Sequence, residues 1–257
     1  MGEKMDYINK LKQDVALLPN GMRFNVKIRF IERVFDSLSN HQLPKYHFPT
    51  LELSEDEITD CLRENMNIKE ADFEALLKNL ETFDHDLDEL RTQLQNEFGY
   101  WATITQDFVK KLVTEFPKQS FLELMAGNGY LSKELRNLDV ETYCTDDLSW
   151  ANHNQTGRDL LTKVESMDAL KALDEYGNKV DNVILAWSPD REDIDVKVLK
   201  RIRELDVNFL VIGEKYGATN SKEFWDQAKL IDDPRIERIN QTYSHYDLVH
   251  DQLYLVK

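Results

Sequence analysis

Phe121-Leu122-Glu123-Leu124-Met125-Ala126-Gly127-Asn128-Gly129-Tyr130-Leu131 is the stretch from which the rest of the chain can be read. Phe121–Leu124 is an apolar run of strand length. Small residues follow, and a helix is predicted at once over Leu131–Leu138. Gly127 and Gly129 lack Cβ atoms, so the backbone can turn sharply there and lie against a ligand. In open α/β sheets, ligands collect at the carboxyl ends of the strands. A phosphate-binding version of this loop would show G-x-G-x-x-G or G-x-x-x-x-G-K-[ST]. Here Leu131 and Ser132 stand in place of the later glycine, and Lys133 is out of register. The loop therefore suits a ligand without a pyrophosphate. Alone it is a weak signal, because many strand-to-helix turns contain glycine.

Working outward, strands and helices alternate. Strands are expected at Val140–Thr145, Val164–Met167, Asp181–Trp187 and Asn208–Ile212. Helices are expected at 103–116, Val196–Leu205 and Lys222–Leu230, and two last strands at Ile236–Thr242 and Gln252–Val256. Such repeated units with apolar strands predict a mostly parallel sheet covered on both faces. Asp146 closes the second strand 17 residues past Gly129, with Asp147 beside it. That is close to the roughly 20-residue spacing at which a carboxylate takes ribose hydroxyls. Asp168 ends the third strand, where it can accept from an exocyclic amine while the Ala169 backbone reads a ring nitrogen.

Before about residue 99 the chain has almost no strand signal. Ile8, Leu11, Val15 and Leu18 recur at helical spacing up to Pro19, and Val26, Phe30, Ile31, Val34, Phe35 and Leu38 do so after Asn20-Gly21. Ser54 and Glu57 have capping-box spacing before Ile58, Leu62 and Met66. One long pattern then runs from Ile68 to Phe98. The chain thus divides into a helical extension, 1–99, and an α/β domain, 100–257. Thr103 with Gln106 and Asn220 with Glu223 are further capping pairs by spacing.

The 257 residues carry 32 Lys and Arg against 48 Asp and Glu, a net charge of −16. The charge is uneven: net +2 over 1–36 and −11 over 50–97. So acidic a chain repels phosphate backbones at long range, which weighs against nucleic acid as partner. The acidic stretch reads as a solvated helix face, with a docking surface for a basic partner as the sharper alternative. Cys61 and Cys144 fall in no C-x-x-C or Cys/His spacing, and the six histidines show no ligand spacing, so no metal site is expected. With no leader-like N-terminus and no run of ~18 apolar residues, a cytoplasmic protein without membrane partners is the expectation.

Glu123-Leu124-Met125-Ala126-Gly127-Asn128-Gly129, then Asp146, then Asp168-Ala169, resembles the S-adenosylmethionine-binding core of the class I, Rossmann-like methyltransferases. The resemblance covers 100–257. Tyr100-Trp101-Ala102, Ala186-Trp187-Ser188-Pro189-Asp190 and Ile212-Gly213-Glu214 with Gly217 look like a poorly characterised subgroup. It implies a seven-stranded, mostly parallel sheet ending in an antiparallel hairpin, and S-adenosylmethionine as cofactor. It further implies that Glu123 orients the loop or reaches the methionine amino group. Met125, Ala126, Gly127, Asn128 and Gly129 would lie along the methionine part. Asp146, with Asp147 beside it, would hold the ribose, and Asp168 and Ala169 would read adenine. Trp187 would border the reacting methyl.

Two departures from the family pattern stand out. Met125 occupies its first loop glycine, and Trp187-Ser188-Pro189-Asp190 does not preserve the [DNS]-P-P-[YFW] tetrad of base and glutamine methyltransferases. A flipped base needs a stacking surface and a carbonyl acceptor, so that substrate class is not supported. Asp190 is the candidate general base, with a salt bridge to Arg191 as the bland alternative. Glu214 is a second candidate on the substrate side. Trp101, Ser188 and Pro189 are candidate substrate contacts. The favoured reading is a methyltransferase acting on a small molecule or protein, with the helical extension as lid, substrate wall or homodimer interface. The alternatives are a non-catalytic cofactor-binding protein whose helical arm recruits a partner and, more distantly, a dinucleotide oxidoreductase.

Overall fold

Six of the predicted strands, with one further short strand, form one seven-stranded sheet in the computed structural model, which describes residues 2–243 and 245–257. They are β1 (Phe121–Leu124), β2 (Thr142–Asp146), β3 (Glu165–Ser166), β4 (Asn182–Ala186), β5 (Asn208–Gly213), β6 (Leu230–Ile231) and β7 (Gln252–Val256). Their order across the sheet is β3-β2-β1-β4-β5-β7-β6. The first five pair in parallel, and β7 runs antiparallel to both β5 and β6. This is the Rossmann-like arrangement with an antiparallel end that the resemblance implies. The chain leaves β1 toward β2 and β3, then returns to β4 on the other side of β1. Such a reversal of winding opens a crevice at the carboxyl ends of β1 and β4.

Helices cover both faces, as apolar parallel strands require. On one face lie α6 (Gln106–Glu115), α7 (Tyr130–Asn137) and α11 (Pro234–Asn240). On the other lie α8 (Ala169–Tyr176), α9 (Ile194–Ile202) and α10 (Lys222–Gln227). The helical extension holds α1 (Gly2–Ala16), α2 (Asn25–Ser39), α3 (Glu55–Glu64), α4 (Glu70–Asp88) and α5 (Leu90–Phe98). Its apolar stripes do not close on themselves. They join the first face in one buried cluster that reaches from Tyr7 and Ile8 through Leu94 and Phe108 to Leu253 and Leu255. Among the described residues, no helix is long and apolar enough to cross a membrane.

Several expectations are corrected. Ile236–Thr242 is not a strand: Asp233 caps and Pro234 opens α11, with Ile236 and Ile239 buried on one side. Pro at the first helical turn, after a capping Asp, is a helix start, and the two isoleucines sit at helical spacing. The outer partner of β7 is instead the two-residue β6, which begins at Leu230, the residue expected to finish the preceding helix. The long pattern of 68–98 divides at Glu89 into α4 and α5. Asp84 there accepts from the Leu53 amide and Asp86 from Lys10, so both side chains are held by partners outside the helix. Met66 falls beyond α3 and is exposed, as is Val26. The caps of α6 and α10 are Thr105 and Ser221, not Thr103 and Asn220.

The Ser54–Glu57 capping box is formed in both directions, with Glu57 N–H to Ser54 Oγ at 3.1 Å and Ser54 N–H to Glu57 Oε2 at 2.9 Å. Ser54→Ala is therefore expected to lower stability by about 1 kcal/mol, read as a shift in the urea midpoint at unchanged m-value.

Candidate functional site

The loop after β1 is shaped by three alternate residues in the left-handed region: Met125 at φ 54°, Gly127 at 55° and Gly129 at 78°. They occupy the three glycine positions of the resembled motif, and the backbone is why glycine is favoured there. Met125 adopts the same conformation with a Cβ, at a cost of roughly 1–2 kcal/mol, and its side chain packs against the α8–α9 face of the sheet. Gly127 has little room: a Cβ there would stand 2.9 Å from Thr156 Cγ2.

Asp146 holds this loop from the end of β2. Its Oδ2 accepts from the Gly127 amide at 2.8 Å and its Oδ1 from the Leu148 amide at 2.7 Å. Burial raises its pKa against the pull of those two amides. Glu123, buried on β1, accepts from both the amide and the hydroxyl of Ser132 in the first turn of α7. Burial pushes this carboxyl up to about 7, the Ser132 bonds opposing. Asn128 is a pin between segments. Its amide group donates to Phe98 O at 2.8 Å and its Oδ1 accepts from Gly157 N–H at 2.7 Å.

A cavity of about 280 Å³ opens at these strand ends. Glu123, Met125, Ala126, Gly127 and Asp146 line one part of it, and Trp187, Ser188, Pro189 and Asp190 another. Trp101 lines it as well. The sequence-derived candidates Asn128, Gly129, Asp147, Asp168, Ala169 and Glu214 stand outside the lining. Asp147 is exposed and accepts from the Ser149 amide. Asp168 caps α8 through the Lys171 amide, which lowers its pKa, and also pairs with the Lys171 ammonium at 3.2 Å. Glu214 ties two loops together, accepting from the amides of Ala218 and His250. Among the described residues, no three His, Cys, Asp or Glu side chains are grouped to hold a metal ion.

Apart from Trp101, which the sequence singled out, the part of the site that sequence reasoning missed lies in and behind the helical extension. Gly99, left-handed at φ 58°, ends α5 and turns the chain so that Tyr100, Trp101, Ala102 and Ile104 run along the cavity. Trp101 Nε1 donates to Thr156 Oγ1 at 2.9 Å. Arg91 of α5 is bidentate to Asp247, at 2.5 and 2.9 Å, and donates to Trp101 O at 3.1 Å. Its guanidinium lies 4.9 Å from the Trp187 ring centre and 5.0 Å from that of Tyr246. The other support of Trp187 is Asp251, whose Oδ2 accepts from Trp187 Nε1 at 2.5 Å and from the Tyr243 hydroxyl at 2.6 Å. Trp187 itself is left-handed, at φ 53°. One sequence signal was available: Arg91 sits with Leu87, Leu90 and Leu94 on the apolar stripe, where a charge needs a buried partner.

No family model matches the chain, and no curated protein does. Among solved structures, the chain is similar to the CcbJ methyltransferase from Streptomyces caelestis, at 19% identity and TM-score 0.32 over 44% of this chain and 52% of that one. It thus spans about half the length of that protein. It is also similar to magnesium protoporphyrin IX methyltransferase (ChlM) from Synechocystis PCC 6803, solved with bound SAM, at 13% identity and TM-score 0.34 over 59% of this chain and 79% of that one. A third similar structure is human N-acetylserotonin methyltransferase in complex with SAM, at 12% identity and TM-score 0.34 over 90% of this chain and 69% of that one.

Proposed function

We propose that this chain is an S-adenosylmethionine-dependent methyltransferase acting on a small-molecule or protein acceptor. The observation that carries the reading is the left-handed loop of residues 125–129 held against Asp146 at the mouth of a cavity between β1 and β4. The residues fit the cofactor. Each oxygen of Asp146 accepts one bond from a backbone amide, and a carboxylate with about four acceptor sites retains capacity for two ribose hydroxyls. Gly127 leaves main-chain groups open where a side chain would intrude. Glu123 lines the cavity beside the loop and suits a methionine amino group. Asp168 and Ala169, past the end of β3, would read the adenine edge where the ring projects beyond Asp146.

The cofactor, when bound, supplies a methyl group on a sulfonium sulfur. The chain aligns an acceptor with it, and Tyr100 and Trp101 form part of the wall that keeps water out. Asp190, on the acceptor side, takes the proton the acceptor sheds.

Isothermal titration tests the reading. S-adenosylmethionine and S-adenosylhomocysteine are expected to bind and NAD is not. Asp146→Ala is expected to weaken S-adenosylhomocysteine by roughly 1–3 kcal/mol, about 5- to 150-fold, as hydroxyl partners lose their acceptor. NAD binding in place of S-adenosylhomocysteine, or equal affinity in Asp146→Ala, would refute it. Transfer of labelled methyl groups into a cell extract then separates an enzyme from a binding protein.

A further inference from the structure

We infer that the acceptor end of the cavity takes a small organic amine on a flat apolar body and turns away anions. The inference rests on the methyltransferase reading and names its acceptor class. Beyond Glu123 and Asp146, which face the cofactor, the lining contains one carboxyl residue, Asp190, and five aromatic ones, Tyr100, Trp101, Tyr130, Trp150 and Trp187, with no Lys, Arg or His among its described residues. A carboxylate or phosphate entering there would lose its water and meet no counter-charge, a cost of several kcal/mol. A cation meets the reverse, since Asp190 and the indole faces both attract it.

Two arginines near this end do not change the balance. The Arg91 guanidinium lies behind Trp187, its side chain 10% exposed, already neutralised by the two bonds to Asp247. Arg191 projects into solvent with its side chain 92% exposed and makes one loose contact to Asp190 at 3.8 Å. Water and salt screen such a group.

Shape adds to charge. The Trp101 and Trp187 rings stand 6.1 Å apart at 49°, an angled pair of apolar walls that suits a flat body. Ser188 is 1% exposed and its Oγ has no hydrogen-bond partner among the described residues, yet the residue lines the cavity. A buried hydroxyl without a partner carries a cost that a ligand N–H removes. Asp190 then supplies the selectivity, since Ser188 accepts from an amine or donates to an anion equally well.

The chemistry closes on these groups. A bound ammonium gives one proton to Asp190, which is exposed enough to pass it to water. The freed nitrogen lone pair forms the new N–C bond to the methyl carbon, and the C–S bond breaks with its electron pair kept by sulfur.

The test is isothermal titration of the full chain saturated with S-adenosylhomocysteine, using 2-phenylethylamine, 2-phenylethanol and 3-phenylpropanoate as matched probes. The amine is expected to bind at least about tenfold more tightly than the carboxylate, with the alcohol between. Asp190→Asn is expected to shrink that gap about tenfold and to leave S-adenosylhomocysteine affinity unchanged. A carboxylate that binds as well as the amine, a gap unchanged in Asp190→Asn, or no binding of any probe would overturn the inference and leave the methyltransferase reading standing. If S-adenosylhomocysteine itself fails to bind, that reading falls. The same ranking on the free chain then still decides the cavity's charge preference.

Discussion

Replacing Arg91 with alanine is expected to lower the unfolding free energy by about 3–5 kcal/mol, the loss that follows when one half of a buried ion pair is removed. Arg91 and Asp247 are 10% and 12% exposed at their side chains. The alanine variant leaves the Asp247 carboxylate with little water and, among the described residues, one remaining protein donor, the Val249 amide at 3.0 Å. It also strips a guanidinium from the faces of Trp187 and Tyr246 and a donor from Trp101 O. Urea unfolding gives the free energy, and the near-ultraviolet circular dichroism of the folded variant reports whether the tryptophans lose their fixed setting. Arg91→Lys keeps the charge but not the planar, two-pronged contact, so it should fall between wild type and alanine. An alanine variant as stable as wild type would show that the ion pair contributes nothing net.

The second large effect is a pH dependence. The buried Glu123 carboxyl is raised from its ordinary 4.5 to about 7. The folded chain therefore holds this proton more tightly than the unfolded chain does. Its contribution to stability is fully present below about 4.5 and is lost as pH rises through about 7. By pH 8 the ionised, buried group disfavours the fold by about 3 kcal/mol relative to pH 4. Glu123→Gln keeps an oxygen to accept from Ser132 and cannot ionise. The stability difference, variant minus wild type, is thus expected to climb by about 2.5 kcal/mol between pH 5 and pH 8. Taking this difference cancels the parallel effect of Asp14, which burial and its hydrogen bond to Asp86 raise to about 6. Urea midpoints for both proteins at four pH values decide it, and a flat difference would place the Glu123 carboxyl near its ordinary value.

These two residues mark what a sequence does and does not disclose. The sheet was legible because β1, β4 and β5 are mostly apolar and punctuated by turns, so its mostly parallel direction followed from the alternation of elements. Asp146 was legible because its place depends only on a strand ending near a loop. The end of the sheet was misread where branched residues favoured a strand while Asp233-Pro234 signalled a helix. Arg91 stands on an apolar stripe and so called for a buried partner, but that partner lies 156 positions away, and nothing local in α5 says which residue it is. Met125 was seen as a departure from glycine, but only coordinates disclose that it takes on the glycine's backbone angles.

The anchoring of Arg91 by Asp247, and of Trp187 by Asp251, has a consequence for biosynthesis. A nascent chain that has emerged through β4 already contains the whole strand-end loop and Asp146. It does not yet hold the two aspartates that fix the tryptophan walls. Maturation of the pocket must await a segment translated long after its floor, so ribosome-tethered intermediates ending before residue 247 should bind nucleoside poorly however well their early strands have paired.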